Sequence, residues 1–246
     1  MTDQTQTWPK IRNVGVDGML VSFGDRLSEP ANRAALAFLA EIESDAPDGI
    51  EEGSTSLVST YLRFDPAHLD HASMREMLTE RLGSRDWTEA DLPEGRSLWR
   101  IPTVYGTELA PQLEEAAEAA GMSAEDAIRS ISETQVRVQT IGFAPGQPYL
   151  GELPEAWDIP RQTKLTDKVP VGALVVAIRQ LVLFSVTTPT GWRHIGQTKF
   201  RLFRPDSDTP FVLRPGDEVR FEPVSREAYE ALPDDANGGA TQEDLA

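Results

Sequence analysis

Beyond Gln135 the signals for helix vanish, and this limits the fold more than any other feature of the chain. Short β-rich runs follow one another at 174–178, 181–186, 200–203 and 218–222, each cut off from the next by proline or glycine. Strands this short and numerous would leave many unpaired edges, and a closed barrel removes them. The second half of the chain is therefore expected to be an all-β barrel. Its first strand is marked over 135–143, where Val136, Val138 and Thr140 alternate with Arg137, Gln139 and Ile141.

The loop leaving that strand reads IGFAPGQPYLG over 141–151. Proline pre-sets the first central position of a turn and glycine takes positive φ at the second, so Pro145-Gly146 is a turn, and Pro148 sets the direction of Tyr149. Two readings stand: a barrel corner that buries Tyr149, or one wall of a cleft.

The first hundred residues alternate between strand and helix. Residues 19–23 read as a strand. Ser28-Glu29-Pro30 then opens a helix whose buried stripe is Ala35, Phe38, Leu39 and Ile42. Residues 57–64 alternate again up to Asp65-Pro66, with a further strand near 49–55. Ser73 and Glu76 form a capping-box pair ahead of Met74, Met77, Leu78 and Leu82, and 96–103 closes the unit as its last strand. This β-α-β-α-β order suggests an α+β class with a ferredoxin-like α/β sandwich at the N-terminus. Two helices connect the halves: one through Leu113, Ala116, Ala117 and Ala120, stopped at Gly121, and one capped by Ser123 and Asp126. The expected domains are 1–104 and 105–229, with 230–246 an acidic tail too poor in apolar surface to order itself.

A formal charge of -17 argues against a nucleic-acid partner, whose phosphates need clustered Lys and Arg. The absence of cysteine excludes disulfides and thiol chemistry. No apolar run approaches the roughly eighteen residues that span a membrane, and MTDQTQTWPKIRN lacks the pattern of a secretory leader, so a cytoplasmic protein is expected. Of the three histidines, His68 and His71 read as solvated turn residues because no further metal ligand stands near them. His194 sits between a glycine turn and a strand, where a neutral imidazole either meets a small polar ligand or satisfies a backbone carbonyl. No nucleophile elbow, phosphate loop or dinucleotide fingerprint is present.

The 141–151 loop resembles the GF-x-PG-x-PYLG signature of the family that contains subunit 1 of bacterial allophanate hydrolase, the B-type subunit of bacterial ATP-dependent 5-oxoprolinase and the sporulation kinase inhibitor KipI. The resemblance continues through Ile101-Pro102-Thr103-Val104-Tyr105-Gly106, Ile159-Pro160-Arg161, Val169-Pro170-Val171-Gly172 and Gly191-Trp192-Arg193-His194-Ile195-Gly196-Gln197-Thr198. It ends with Arg201-Leu202-Phe203 and Leu213-Arg214-Pro215-Gly216-Asp217-Glu218-Val219-Arg220-Phe221.

It implies a ferredoxin-like first domain and a cyclophilin-like barrel, together akin to the first of two carboxyltransferase subdomains. The chain departs from the pattern at Ile178-Arg179-Gln180-Leu181-Val182, where relatives carry Gly-Gly-Gln-x-Gly. Thr107 likewise stands where a second glycine is common, and Gln147 where an aromatic is common.

The chain is accordingly expected to be one subunit of a 5-oxoprolinase-like or carboxyltransferase-like complex acting on small amides. It would form a composite site with a C-type subunit resembling the second subdomain, and work with an A-type subunit. No cofactor is assigned to this chain, and ATP or biotin would serve the complex. The alternative from the same resemblance is a regulator that binds a sensor histidine kinase. Candidate catalytic residues are His194, Arg161 and Gln180, with Phe143, Pro145, Tyr149, Lys164 and Trp192 lining a cleft and no metal. In the competing reading Tyr149 and Trp192 are core aromatics and Arg161 a surface ion-pair residue.

Overall fold

The computed structural model describes residues 7–245. The chain divides into two compact units, one ending at Glu94 and the other starting at Gly95. In the first, β1 (Lys10–Val14) and β2 (Gly18–Ser22) form a hairpin, followed by α1 (Glu29–Ser44). A second hairpin, β3 (Ile50–Ser56) and β4 (Ser59–Phe64), leads into α2 (His71–Leu82). The four strands make one antiparallel sheet in the order β1-β2-β4-β3. Ser28 is extended ahead of α1, and Pro30 occupies its first turn, where the missing N–H costs nothing. Ala35, Phe38 and Ile42 are buried in one cluster with Met19, Val21, Leu62 and Phe64 of the sheet. The cap of α2 is Asp70, whose carboxylate accepts from Ser73 N at 2.8 Å; Ser73 is already inside the helix.

Two expectations about this unit are corrected. Residues 96–103 do not close it. They belong to β5 (Arg96–Tyr105) of the second unit, and the first unit ends ten residues earlier than expected. A ferredoxin-like chain path takes its last strand after the second helix; here the place beside β2 is filled by β1, from the N-terminal side. The reason lies in β5's partners. It runs parallel to β13 (Glu218–Pro223), with Leu98 opposite Glu218 and Thr103 opposite Pro223, and the buried Asp217 accepts from Ser97 N at 2.9 Å.

The second unit continues with α3 (Leu113–Ala119), α4 (Ala124–Glu133), β6 (Val136–Ile141) and β7 (Pro148–Gly151). Next come β8 (Thr166–Val169), β9 (Ala173–Ala177), β10 (Gln180–Leu183), β11 (Thr188–Thr190) and β12 (Arg193–Gln197). The order β12-β9-β10-β7-β6-β13-β5 closes through a β12–β5 pairing, so seven strands form the expected barrel. Side chains of one parity, among them Ile101, Val138, Leu150, Leu174, Leu181 and Phe221, fill a single cluster that α3 and α4 join through Ala116 and Ile131. The opposite parity forms an outer cluster of Val175, Val182, Phe184 and Trp192. Residues 200–203 are no strand; Phe203 makes only an isolated bridge to Phe211.

The acidic tail is ordered, contrary to expectation. α5 (Arg226–Ala231) is capped by Ser225, and β14 (Thr241–Leu245) pairs antiparallel with β5 from Thr241 opposite Arg100 to Leu245 opposite Arg96. A free sheet edge offers backbone donors and acceptors to any sequence, so few apolar side chains are needed. Glu243 pairs with Arg100 at 3.0 Å, and the last turn before β14 buries Ala240 in the barrel cluster. Among the described residues no helix is long and apolar enough to cross a membrane.

Candidate functional site

The expected site residues fall in four places. Phe143 is 72% exposed at the tip of the β6–β7 loop, with φ +72. Pro145 precedes Gly146 (φ +69), where a Cβ would lie 2.9 Å from the Leu202 carbonyl oxygen; the turn is packed against the chain rather than open. Gln147 is buried and accepts from Ser185 N at 3.3 Å, which explains a polar residue in this loop. Tyr149 meets Trp192 edge-on with centroids 6.2 Å apart, and Trp192 is buried in the outer cluster.

Gln180 is buried and donates to Gln139 Oε1 at 2.9 Å. The two amides meet over Gly151, where a Cβ would stand 2.8 Å from Gln139 Oε1. Ile178 (φ +45) and Arg179 (φ +60) form the two-residue turn between β9 and β10. Glycines at those two positions are thus accounted for by hairpin geometry. Thr107, at φ +63, likewise adopts the backbone that favours glycine.

Arg161 and Lys164 are exposed on a cleft of about 360 Å³ shared with Glu115, Gln162 and Arg193. Arg193 is held there by Glu115 at 2.9 Å and by the Pro160 carbonyl at 2.7 Å. His194 lies in a different cleft, of about 410 Å³, with Gln112, Thr166, Lys168, Gln197 and Tyr229. One hydrogen-bonded wall separates the two. Gln112 accepts from His194 N at 3.0 Å and donates through Nε2 to Gln162 Oε1 at 2.9 Å, while Gln162 Nε2 donates to the Trp192 carbonyl.

The His194 cleft has the chemistry of a ligand site. Residues three apart on a regular strand face opposite ways, but β12 carries a register shift between His194 and Gly196 that brings His194 and Gln197 to the same face. His194 pairs with Val175 and Gln197 with Ala173, both members of the outer cluster. Gly172 (φ +78) admits the Gln197 amide, since a Cβ would sit 2.9 Å from its Nε2. That nitrogen donates to the carbonyls of Val171 (2.8 Å) and Thr198 (3.1 Å), which fixes Oε1 as the acceptor turned toward the cleft side of the amide. Gln197 Oε1 and His194 Nε2 are both buried without a well-formed hydrogen bond, the Gln197 amide acting on the imidazole only weakly, although the residues are only 7% and 4% exposed. Buried polar atoms are nearly always paired, so the two mark this cleft as the candidate site.

Burial pushes the His194 pKa below the ordinary imidazole value, against weaker opposing effects of the Gly196 backbone and the Gln197 amide, so the ring is neutral at pH 7. Burial raises the Tyr229 hydroxyl in the same cleft, keeping it a protonated donor, while exposed Lys168 adds a positive charge. Among the described residues no cluster suited to a metal is present. The sequence reading missed Gln112, Lys168, Gln197 and Tyr229. Gln197 was within reach, since it shares a block with His194, but without the bulge the two read as opposite-facing.

Residues 9–213 match the family described as carboxyltransferase domain, subdomain C and D. The chain belongs to this family. It is 32% identical to the B-type subunit of 5-oxoprolinase from Bacillus subtilis over 93% of this chain and 98% of that protein. The crystal structure of TTHA0988 is similar at a TM-score of 0.70 and 32% identity, covering 85% of this chain but 40% of that longer one. Kluyveromyces lactis urea carboxylase shares the fold at a TM-score of 0.69 and 17% identity, over all of this chain and 25% of that one.

Proposed function

We infer that this chain is the B-type subunit of a 5-oxoprolinase-like complex and that the His194 cleft holds a small amide substrate. The observation that carries this reading is the pair of buried atoms without a well-formed hydrogen bond, His194 Nε2 and Gln197 Oε1, in a chain matching the B-type subunit of 5-oxoprolinase over nearly its whole length. A cyclic amide presents an N–H and a C=O side by side. Gln197 Oε1 takes the N–H, and a neutral imidazole protonated at Nε2 donates to the carbonyl, polarising it toward attack. Lys168 suits a carboxylate carried on the same ring.

Opening a lactam to glutamate needs activation, which ATP bound in the complex supplies, and a C-type subunit resembling the second carboxyltransferase subdomain completes the site. An A-type subunit and, in the carboxyltransferase version of the reaction, biotin belong to the same assembly. That this chain spans only 40% of TTHA0988 supports a fold that works beside further segments. Arg161 and Lys164, on the separate cleft across the Gln112–Gln162 wall, take no part in holding the amide.

The test is to purify the complex through a tag on this chain and measure oxoproline-dependent ATP hydrolysis. His194→Asn and Gln197→Met are expected to raise KM by about tenfold or more, as the loss of one or two directional hydrogen bonds predicts; Arg161→Ala changes it much less. Unchanged KM and kcat in both cleft variants, or recovery of a sensor kinase in place of enzyme subunits, overturns the reading.

A further inference from the structure

A further cavity of about 430 Å³, sharing no lining residue with the His194 cleft, lies where β14 covers the first half of β5. Trp99, Arg204, Thr209, Arg214 and Asp217 line it, with Phe211, 55% exposed, as an apolar edge.

Two arginines and an indole bring their donors to a lining that also holds the Asp217 carboxylate and the amides of Asn237 and Gln242, Gln242 standing opposite Trp99 across the β5–β14 pair. Trp99 is 6% exposed, and its indole Nε1 is buried with no partner. An indole N–H only donates, so the atom that meets it must be an acceptor. Arg204 spends its bonds on neutral oxygens, Nε on the Arg201 carbonyl (3.1 Å) and Nη2 on the Ala236 carbonyl (3.0 Å) and Asn237 Oδ1 (2.7 Å). Its guanidinium lies over the Phe200 ring at 5.5 Å, and Phe200 in turn packs on Trp99 at 5.1 Å. Arg214 places a largely exposed guanidinium 3.8 Å from Asp217. Asp217 is already engaged on both oxygens by Ser97 N (2.9 Å) and Arg214 N (3.0 Å), and the second carboxylate that bears on the pair, Asp235 near Arg204, lies outside the cavity lining.

We propose that this cavity is a binding site for a small carboxylate, held by Arg204 and Arg214 with one oxygen on Trp99 Nε1. The planar guanidinium matches a carboxylate in shape and charge, the indole N–H supplies a third fixed donor, and the Phe211 ring accepts an apolar substituent. A site of this kind on a chain of charge -17 must be built locally, because the overall field repels anions.

The experiment is a titration of the uniformly 15N-labelled full chain with sodium benzoate, following the tryptophan indole N–H signals by NMR. The Trp99 signal is assigned by its loss in Trp99→Phe. It is expected to move downfield and saturate in the millimolar range typical of a few charge-assisted contacts, with the other indoles still. Arg214→Gln, at an exposed position, leaves the spectrum folded and weakens the binding at least tenfold. A Trp99 signal unmoved at about 50 mM benzoate, a shift shared by all indoles, or full binding retained in Arg214→Gln overturns the proposal. Inorganic phosphate serves as the comparison anion, and a tighter phosphate response rejects the carboxylate assignment.

Discussion

At the scale of single residues, His194 carries both the proposed chemistry and a pH signature. Its folded-state pKa is lowered by burial, so the unfolded chain binds the proton more tightly. The stability this group contributes is fully present above about pH 6.5, the unfolded imidazole value, and is lost as pH falls through the folded one. Melting temperatures measured between pH 8 and 5 should therefore fall more steeply for the natural protein than for His194→Gln. Parallel curves would mean that the ring titrates normally and is not desolvated. His194 was legible from its place in a glycine-bounded block. Gln180 was not: a glutamine at the start of a strand reads as a ligand group until Gly151 is seen to let Gln139 reach across to it.

Among elements, the β9–β10 hairpin shows a local rule broken at a measurable cost. Ile178 is β-branched and sits at φ +45 in a two-residue turn, a conformation that favours Asn or Gly. It is 47% exposed, so its side chain contributes little burial. Ile178→Asn is expected to stabilise the protein by about 1 kcal/mol, seen as a rise of roughly 2–4 °C in Tm. A lower Tm would show that Ile178 packs usefully on its neighbours. Arg179→Gly relieves the same strain but gives up the bond from Arg179 Nε to the Leu153 carbonyl at 3.0 Å, worth about 1 kcal/mol. Its net effect should be near zero. The helix start at Ser123 could be read directly, because a cap is a contact between residues three or fewer apart, and that at Ser28 from the proline in its first turn.

For the whole molecule, the decisive contacts join segments far apart in the chain. Removing Thr241–Leu245 strips β14 from β5 and exposes the edge beside Trp99. A cost of about 2–3 kcal/mol is expected, at roughly 1 kcal/mol per net hydrogen bond less the ordering entropy of the strand. Thermal melts of the full and truncated chains check this, and coincident melts would make β14 a passive addition. The amino-acid sequence by itself determined what acts over a few residues: the helix stripes and caps, the barrel class from short punctuated strands, and the blocks that carry the family. Which strands become neighbours was decided only by the tertiary structure. β5 left the first unit because it pairs with β13, Leu98 opposite Glu218 120 residues away, and the acidic tail became a strand because that same β5 offered it an edge. Backbone hydrogen bonds are nearly blind to side-chain identity, so no local pattern records them, and the bulge that turns His194 and Gln197 to one face is settled by the same non-local pairing.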